Sequence, residues 1–496
     1  MDWPPAELKH TMPQIDVWGA WYSGVPEDLV RVYSRDQRLL PAIRPAQYRG
    51  GVTGALARFW WGQPNMLGTR DKLHMPLAAD IASASSDLLF SEELTVTGMT
   101  DRLDQVLDFN SWQSLLPESG ELCAAFGGVY LCVGWDEGLA KFPIITPLDP
   151  EGAWPVFHHG HLAKVTFWSR LPHVIHDDRV RRLLEVHTPG TIHYEVYDGR
   201  HGELGQRIHL EGIQGLEDIV AQVDDNGDIP TGIDELTVVY IPNVRPAPMW
   251  HSDPTGRYMG RADISGSEAF LDAIDETWTS WMRDIRHGKS RIIAPKAFLE
   301  SGKAGEPLWF NMEQDLFVAA NTGGQLDVPM KDQLSVQQFT IRTAEHEATL
   351  KNLIGVVTRR AGYSSSTFDM VDEAAPTATE VNSRDRRSHT TREKKTRYWT
   401  PALETLLRVV QKVDAQLFSQ AGPDDANPIK VSFPSASQQS PAELAQTVQL
   451  LDAARAVSAK TRVQMVHPDW TEPQIDEEVA AILADSPAAG LGLGLV

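Results

Sequence analysis

With 496 residues, 42% of them hydrophobic and 23% charged, the chain can bury substantial cores and is long enough for about two to four domains. A formal net charge of −22 repels phosphate at long range and excludes broad adhesion to nucleic acid or anionic membrane, while leaving room for a local basic face. The opening MDWPPAELKH has no leader pattern, and no uncharged apolar run approaches the roughly 20 residues of a membrane span. A soluble chain with no membrane partner is expected. Cys123 and Cys132 lie in LCAAFGGVYLC and are expected as buried thiols of a reducing compartment rather than a disulfide.

Residues 1 to about 115 read mostly as helix. The clearest piece is LHMPLAADIASASSDLLF, with Leu77, Ile81, Ala84 and Leu88 at helical spacing and Pro76 suited to a first turn. GELCAAFGGVYLCVGW reads as a helix running through Gly127 and Gly128 into a strand, and PIITPLDPEGAWPVF continues as strand and turn. From 161 to 245 the stretches KVTFWSRL, RLLEVHT, TIHYEVYDG, RIHLEGI and LTVVYIPN alternate, with turns expected at Pro189-Gly190 and Asp198-Gly199. That is an antiparallel sheet. A Pro- and Gly-rich connection follows.

SGSEAFLDAIDETWTSWMRDIRHG then carries Leu271, Ile274, Trp278, Trp281 and Ile285 at spacings of 3, 4, 3 and 4, a seam for helix–helix packing. Ser265 and Glu268 read as a capping box and Gly288 as the C-terminal stop. Short strands and turns over 289–335 precede a second helix from about Thr343 to Arg360, which makes a helical hairpin with a small module at its end. AGYSSSTFDMVDEAAPTAT is a polar loop with no core of its own. After it, TATEVNSRDRRSHTTREKK opens a helical pattern of about 40 residues, roughly 60 Å long, with a break or kink expected at Thr400-Pro401. Its second half is amphipathic through Leu403, Leu406, Leu407, Val410 and Leu417; its first half is not. A strand (IKVSF), two helices (PAELAQTVQLLDAARAV and EPQIDEEVAAILAD) and the tail PAAGLGLGLV close the chain.

Few motifs carry chemistry. HGKS, residues 287–290, lacks the earlier glycine of a phosphate-binding loop, where Arg283 stands instead, and it follows a helix rather than a strand. His158, His159, His161, His173, His176, His187, His193, His201 and His209 cluster in the sheet region; most are expected to face solvent along the strands, and no metal, cofactor or catalytic residue is assigned. The basic run is more informative. On a helix, Arg384, Arg387, Arg392, Lys394 and Lys395 fall within an arc of about 160°, while Arg386 and Arg397 point away. A helix so polar is expected to gain its stability from other subunits, its cations meeting their carboxylates or DNA phosphate, with a solvated charged face as the alternative.

The order of these elements resembles the portal proteins of tailed bacteriophages, of the siphovirus type, over most of the chain. LAADIASASSDLLFSEE looks like the early helix before the wing sheet, and GELCAAFGGVYLCVGWDEGLAKFPIITPLDP like the segment after it. SEAFLDAIDETWTSWMRDI and TAEHEATLKNLIGVVTRR are similar to the two stem helices. The resemblance implies an α+β portal fold: a mixed wing (1–257), stem helix 1 (258–288), a small α/β clip (289–338) and stem helix 2 (339–360). A tunnel loop (361–378), a long kinked wing helix (379–420), and a closing strand with crown helices (421–496) complete it. The tunnel loop would hold Tyr363, Ser364, Ser365, Ser366, Thr367, Phe368, Asp369, Asp372 and Glu373.

What the resemblance implies in function is a non-enzymatic homo-oligomeric ring, dodecameric in virions, assembled in the host cytoplasm and set at one capsid vertex. Double-stranded DNA passes through it without sequence specificity during packaging and ejection. The terminase large subunit, the head–tail adaptor, the major capsid protein and scaffold are the implied partners. Another virion or scaffold-type interaction protein, or a histidine-dependent metal hydrolase, are the alternatives.

Overall fold

A computed structural model describes residues 2–35, 72–136, 138–172, 179–287, 291–293, 335–337, 342–368, 378–424, 426–434, 441–454, 456–467, 470 and 472–485. The chain divides into a large unit, Met1–Pro434, and a small one, Ser435–Val496. No helix among the described residues is long and apolar enough to cross a membrane.

The large unit is mixed helix and sheet, as expected of an α+β chain. Helices α1 (Met12–Ser23), α2 (Pro26–Arg35) and α3 (Leu77–Phe90) are followed by strand β1 (Thr95–Thr97), then α4 (Asp101–Phe109) and α5 (Trp112–Phe126). The pass from α5 into β2 (Gly128–Gly134) is made at Gly127, whose φ of +84° closes the helix through its amide to the Cys123 carbonyl. Only glycine fits, because a Cβ there would lie 2.8 Å from the backbone of residues 260–262.

Strand β2 is central in a three-stranded sheet between β3 (Ile144–Leu148) and β10 (Val238–Pro242). Its unbroken apolar run follows from burial on both faces. Val129, Leu131 and Val133 enter one core, and Tyr130 and Cys132 enter another. Strands β4 (Ala153–His158), β5 (His161–Arg170), β6 (Arg179–Thr188), β7 (Thr191–Arg200) and β8 (Glu203–Ile208) form an antiparallel meander. After the short helix α6 (Glu217–Gln222), β9 (Asp228–Pro230) returns to pair with β7.

Two expectations fail in the sheets. LTVVYIPN does not extend the meander: as β10 it pairs with β2, where Val238 and Ile241 are buried. Asp198-Gly199 is not a turn but the site of a bulge within β7, and the chain reverses at His201-Gly202. Alternation alone reports that a segment is extended, not which sheet it joins.

Helix α7 (Glu268–His287) and helix α8 (Thr343–Ala361) form the hairpin. The α7 seam is graded: Leu271 and Ile274 are buried, Trp278 and Trp281 pack against them, and Ile285 is 42% exposed. Farther out the two helices are joined by Asp284, which accepts from Arg342 Nη2 (2.9 Å) and lies 3.0 Å from His346 Nε2, and by the His346 ring stacked on Trp281. The Ser265/Glu268 capping box does not form. Ser267 starts the helix, its carbonyl accepting from Phe270 and Leu271, and the Glu268 carboxylate instead accepts from Gln14 Nε2 (2.9 Å) and Trp18 Nε1 (3.0 Å) of α1. Of the small module, an antiparallel pair of β11 (Arg291–Ile293) and β12 (Ser335–Gln337) is described; Gly288 and residues 294–334 lie outside the described residues.

Helix α9 runs from Ala378 to Phe418 as one element, with Pro401 inside it rather than at a break. Trp399, Leu403, Leu406, Leu407, Val410 and Val413 form the largest apolar cluster with β2, β10 and the α3–α5 helices. Packing on this scale holds a proline whose missing N–H would alone favour a break. β13 (Lys430–Ser432) pairs with β1. Among its described residues the small unit has three helices rather than two: α10 (Pro441–Ala453), α11 (Ala459–Val466, capped by Ser458) and α12 (Glu472–Asp485). Lys460 of α11 pairs with Asp476 of α12 at 2.8 Å, and the tail 486–496 lies outside the described residues.

The graded seam makes a quantitative prediction. Ile274→Ala is expected to destabilise by about 2–5 kcal/mol, and Ile285→Ala by no more than about 0.5 kcal/mol, in urea unfolding followed by tryptophan fluorescence. Equal losses would mean that the hairpin packs along its whole length.

Candidate functional site

The first half of α9 and the start of the loop before it meet in a polar interior built from four segments of the large unit. Along α9 the buried positions are Ser388, Arg392, Lys395 and Trp399, spaced 4, 3 and 4, and the same face continues through Leu403, Leu406 and Val410. It is one continuous buried stripe whose first turns happen to carry polar side chains.

Lys395 is 1% exposed. Its Nζ donates to Asp263 Oδ2 (2.7 Å), Ser85 Oγ (2.5 Å) and Tyr363 Oη (3.0 Å). Those are all three of the protons an ammonium has to give. Asp263 is equally enclosed: Oδ2 also accepts from Tyr363 Oη (2.7 Å), and Oδ1 accepts from Asn243 Nδ2 (2.8 Å). Burial, then the Asp263 carboxylate, pushes the Tyr363 phenol well above its ordinary range, so that it remains a donor. A buried ion pair is tolerated when the remaining lone pairs and protons are satisfied in this way.

Beside this pair the chain leaving α8 is stitched to α9. Gly362, at φ +97°, ends α8 in the left-handed conformation, and the Tyr363 amide reaches back to the Thr358 carbonyl. Thr391 Oγ1 donates to the Gly362 carbonyl (2.7 Å), and a Cβ on Gly362 would meet that hydroxyl at 2.6 Å. Ser388 Oγ accepts from the Ser364 amide (3.0 Å) and lies 2.8 Å from both Ser364 Oγ and Thr367 Oγ1. Arg392 turns inward to donate to the carbonyls of Leu88 (2.6 Å) and Pro434 (2.9 Å), and burial lowers its pKa.

The chain matches the family model described as "Phage portal protein, SPP1 Gp6-like" over residues 6–489. It belongs to that portal protein family. Among solved structures it is similar to a chain in the virion of the native gene transfer agent (GTA) particle, at 12% identity and a TM-score of 0.38, covering 84% of this chain and 99% of that one. A chain in the neck of the empty GTA particle with C6 symmetry is 13% identical, with a TM-score of 0.38 and coverage of 79% and 90%. A third, in the neck of the native GTA particle with C12 symmetry, is 13% identical, with a TM-score of 0.36 and coverage of 83% and 92%. No curated protein sequence matches.

For this portal-family chain the five-cation face must be corrected. Arg392 and Lys395 belong to the interior, bound to the chain's own groups, whereas Arg387 and Lys394 are exposed, as are Arg386 and Arg397; Arg384 lies on α9. The buried positions Arg392 and Lys395 are thus satisfied within their own subunit, because Ser85, Asp263 and backbone carbonyls accept what they donate. The candidate loop is corrected as well. Tyr363 and Ser364 are buried, Ser365–Phe368 form a 3-10 turn, and Asp369, Asp372 and Glu373 lie outside the described residues.

Among the histidines, His158, His159, His161, His201 and His209 are exposed as expected. His187 is fully buried, between Thr237 and Glu185, and His193 is partly covered and bonded to Asp228; His173 and His176 lie outside the described residues. Both cysteines are free and buried, and burial raises the pKa of each thiol. Asp263, Ser85 and Asn243 were not legible as site residues. A period of buried positions through Ser388, Arg392, Lys395 and Trp399 was the available signal.

Lys395→Met is expected to cost about 3–5 kcal/mol by stranding Asp263, and Lys394→Met, one residue away, no more than about 0.5 kcal/mol. Denaturant midpoints of the two variants decide this, and similar losses would remove Lys395 from its structural role.

Proposed function

We propose that this chain is the subunit of a homo-oligomeric ring at one capsid vertex, through which double-stranded DNA enters during packaging and leaves during ejection. The observation that carries this reading is the portal family match across nearly the whole chain. The ring docks the terminase large subunit and the head–tail adaptor through the module at the end of the α7–α8 hairpin, and it meets capsid and scaffold through the sheet-bearing wing. The chain acts as a conduit and supplies no ATPase of its own.

Charge supports the reading. A wall with a net charge of −22 per subunit does not bind phosphate firmly, so a polyanion slides past it, held back only by sparse cations. On α9 the candidates for such contacts, or for ion pairs with a neighbouring subunit, are Arg384, Arg386, Arg387, Lys394 and Arg397. Arg392 and Lys395 leave that set because the fold consumes them.

Size-exclusion chromatography with negative-stain imaging tests the assembly: rings with a central hole are expected, and a protein that stays monomeric at high concentration contradicts the proposal. In a packaging assay, Arg386→Glu, Arg387→Glu, Lys394→Glu and Arg397→Glu together are expected to lower ring yield or DNA packaged, with thermal unfolding of the subunit unchanged. If both readouts match the parent chain, the outward cations are a solvated surface only.

A further inference from the structure

The interface between the three-stranded sheet and the long meander is apolar, lined by Tyr130, Ala153, Val165, Phe167 and Val238. Three groups there are out of character. Cys132 projects from β2, while Glu185 and His187 project from β6, two residues apart and so on one face of the strand. Their ligand atoms all lie within 4.8 Å of one another, and His187 Nε2 is 2.9 Å from Glu185 Oε1.

A carboxylate and an imidazole on an inward sheet face cost desolvation unless something there offsets it. A cation does so. Thiolate, imidazole and carboxylate are the donor set of a borderline-soft divalent ion, which sits about 2.0–2.3 Å from each ligand. Ligand atoms around such an ion are some 3–4 Å apart on that geometry, so small side-chain rotations close the site.

The surroundings complete the arrangement. His187 Nδ1 lies 2.9 Å from Thr237 Oγ1, a buried neighbour that fixes the ring and leaves Nε2 to face Cys132 and Glu185. Metal-bound histidines are oriented by an outer partner of this kind. Glu185, whose side chain is 31% exposed, also lines a cleft of about 950 Å³ together with Asp16, Asp28, Asp149 and Glu151, and with Arg170 and Arg31, the latter paired with Asp28. Carboxylates outnumber the arginines of this cleft, and Glu185 joins it to Cys132 and His187.

We propose that Cys132, Glu185 and His187 hold one divalent transition-metal ion, zinc foremost, which pins the three-stranded sheet to the meander. The fourth position faces the cleft and takes water. On binding, the Cys132 S–H bond gives its proton to solvent and the sulfur pair forms the metal bond, with no change of oxidation state.

The test uses the full-length chain, stripped with EDTA and titrated with Co²⁺ alone and then with Zn²⁺. One Co²⁺ per chain is expected, with a thiolate-to-cobalt charge-transfer band that Zn²⁺ abolishes. Cys123→Ser keeps the band, Cys132→Ser and His187→Gln lose it, and Thr237→Val keeps it with affinity weakened about 10–100-fold. Absence of the band in the parent chain, which needs no variant to fold, overturns the proposal and leaves Thr237, His187 and Glu185 as a hydrogen-bond chain. A band that survives in Cys132→Ser overturns it equally.

Discussion

The ion pair between Lys395 and Asp263 is the constraint on which the arrangement of the large unit depends. It joins α3 through Ser85, the segment entering α7 through Asp263, the residue leaving α8 through Tyr363, and α9 through Lys395 itself. On α3, Ser85 lies between Ile81 and Ala82 of one apolar cluster and Leu89 of the other, so the pair sits where the two cores meet. Apolar contacts alone tolerate sliding, because one leucine satisfies another. Hydrogen bonds do not: a shift of α9 by one turn would bring Thr391 or Trp399 to the place of Lys395 and leave Asp263 without a cation. A buried pair of this kind adds little net stability over a well-packed apolar substitute, and its use lies in register.

The same constraint explains how much of the fold was legible. Where burial and hydrophobicity coincide, the elements read directly: the apolar face of α3, the passage from α5 through Gly127 into β2, the α7–α8 hairpin, and the second half of α9. Where they part, periodicity in hydrophobicity is blind. Ser388, Arg392 and Lys395 continue the buried face of Trp399 and Leu403, but arginine and lysine read as surface, and the helix looked as though other subunits must complete it. His187 misled in the same way, as a polar residue on a strand whose burial depends on the sheet opposite.

Partners distant in sequence account for the remaining differences. The Glu268 carboxylate is well placed in sequence for a capping box, yet Gln14 and Trp18, about 250 residues away, claim it. β10 alternates like its neighbours and still joins β2, because its buried positions fit that core. Local pattern states what a segment can form; the choice among equivalent partners is made by tertiary packing, which no window of the sequence contains.

The distribution of charge follows from these internal uses. Arg182 and Arg392 are both buried, and their guanidinium groups donate to backbone carbonyls rather than to carboxylates, while Lys395 is cancelled by Asp263. The buried charges balance, Arg182, Arg392 and Lys395 against Asp263, Asp275 and Asp414 among the described residues, so the exterior keeps the acidic excess of the whole chain. At physiological ionic strength such a surface acts on a polyanion over only about 8 Å, so it repels closely without impeding approach. The cations held on the buried face of α9 cannot be recruited for outside contacts without breaking the fold that places them.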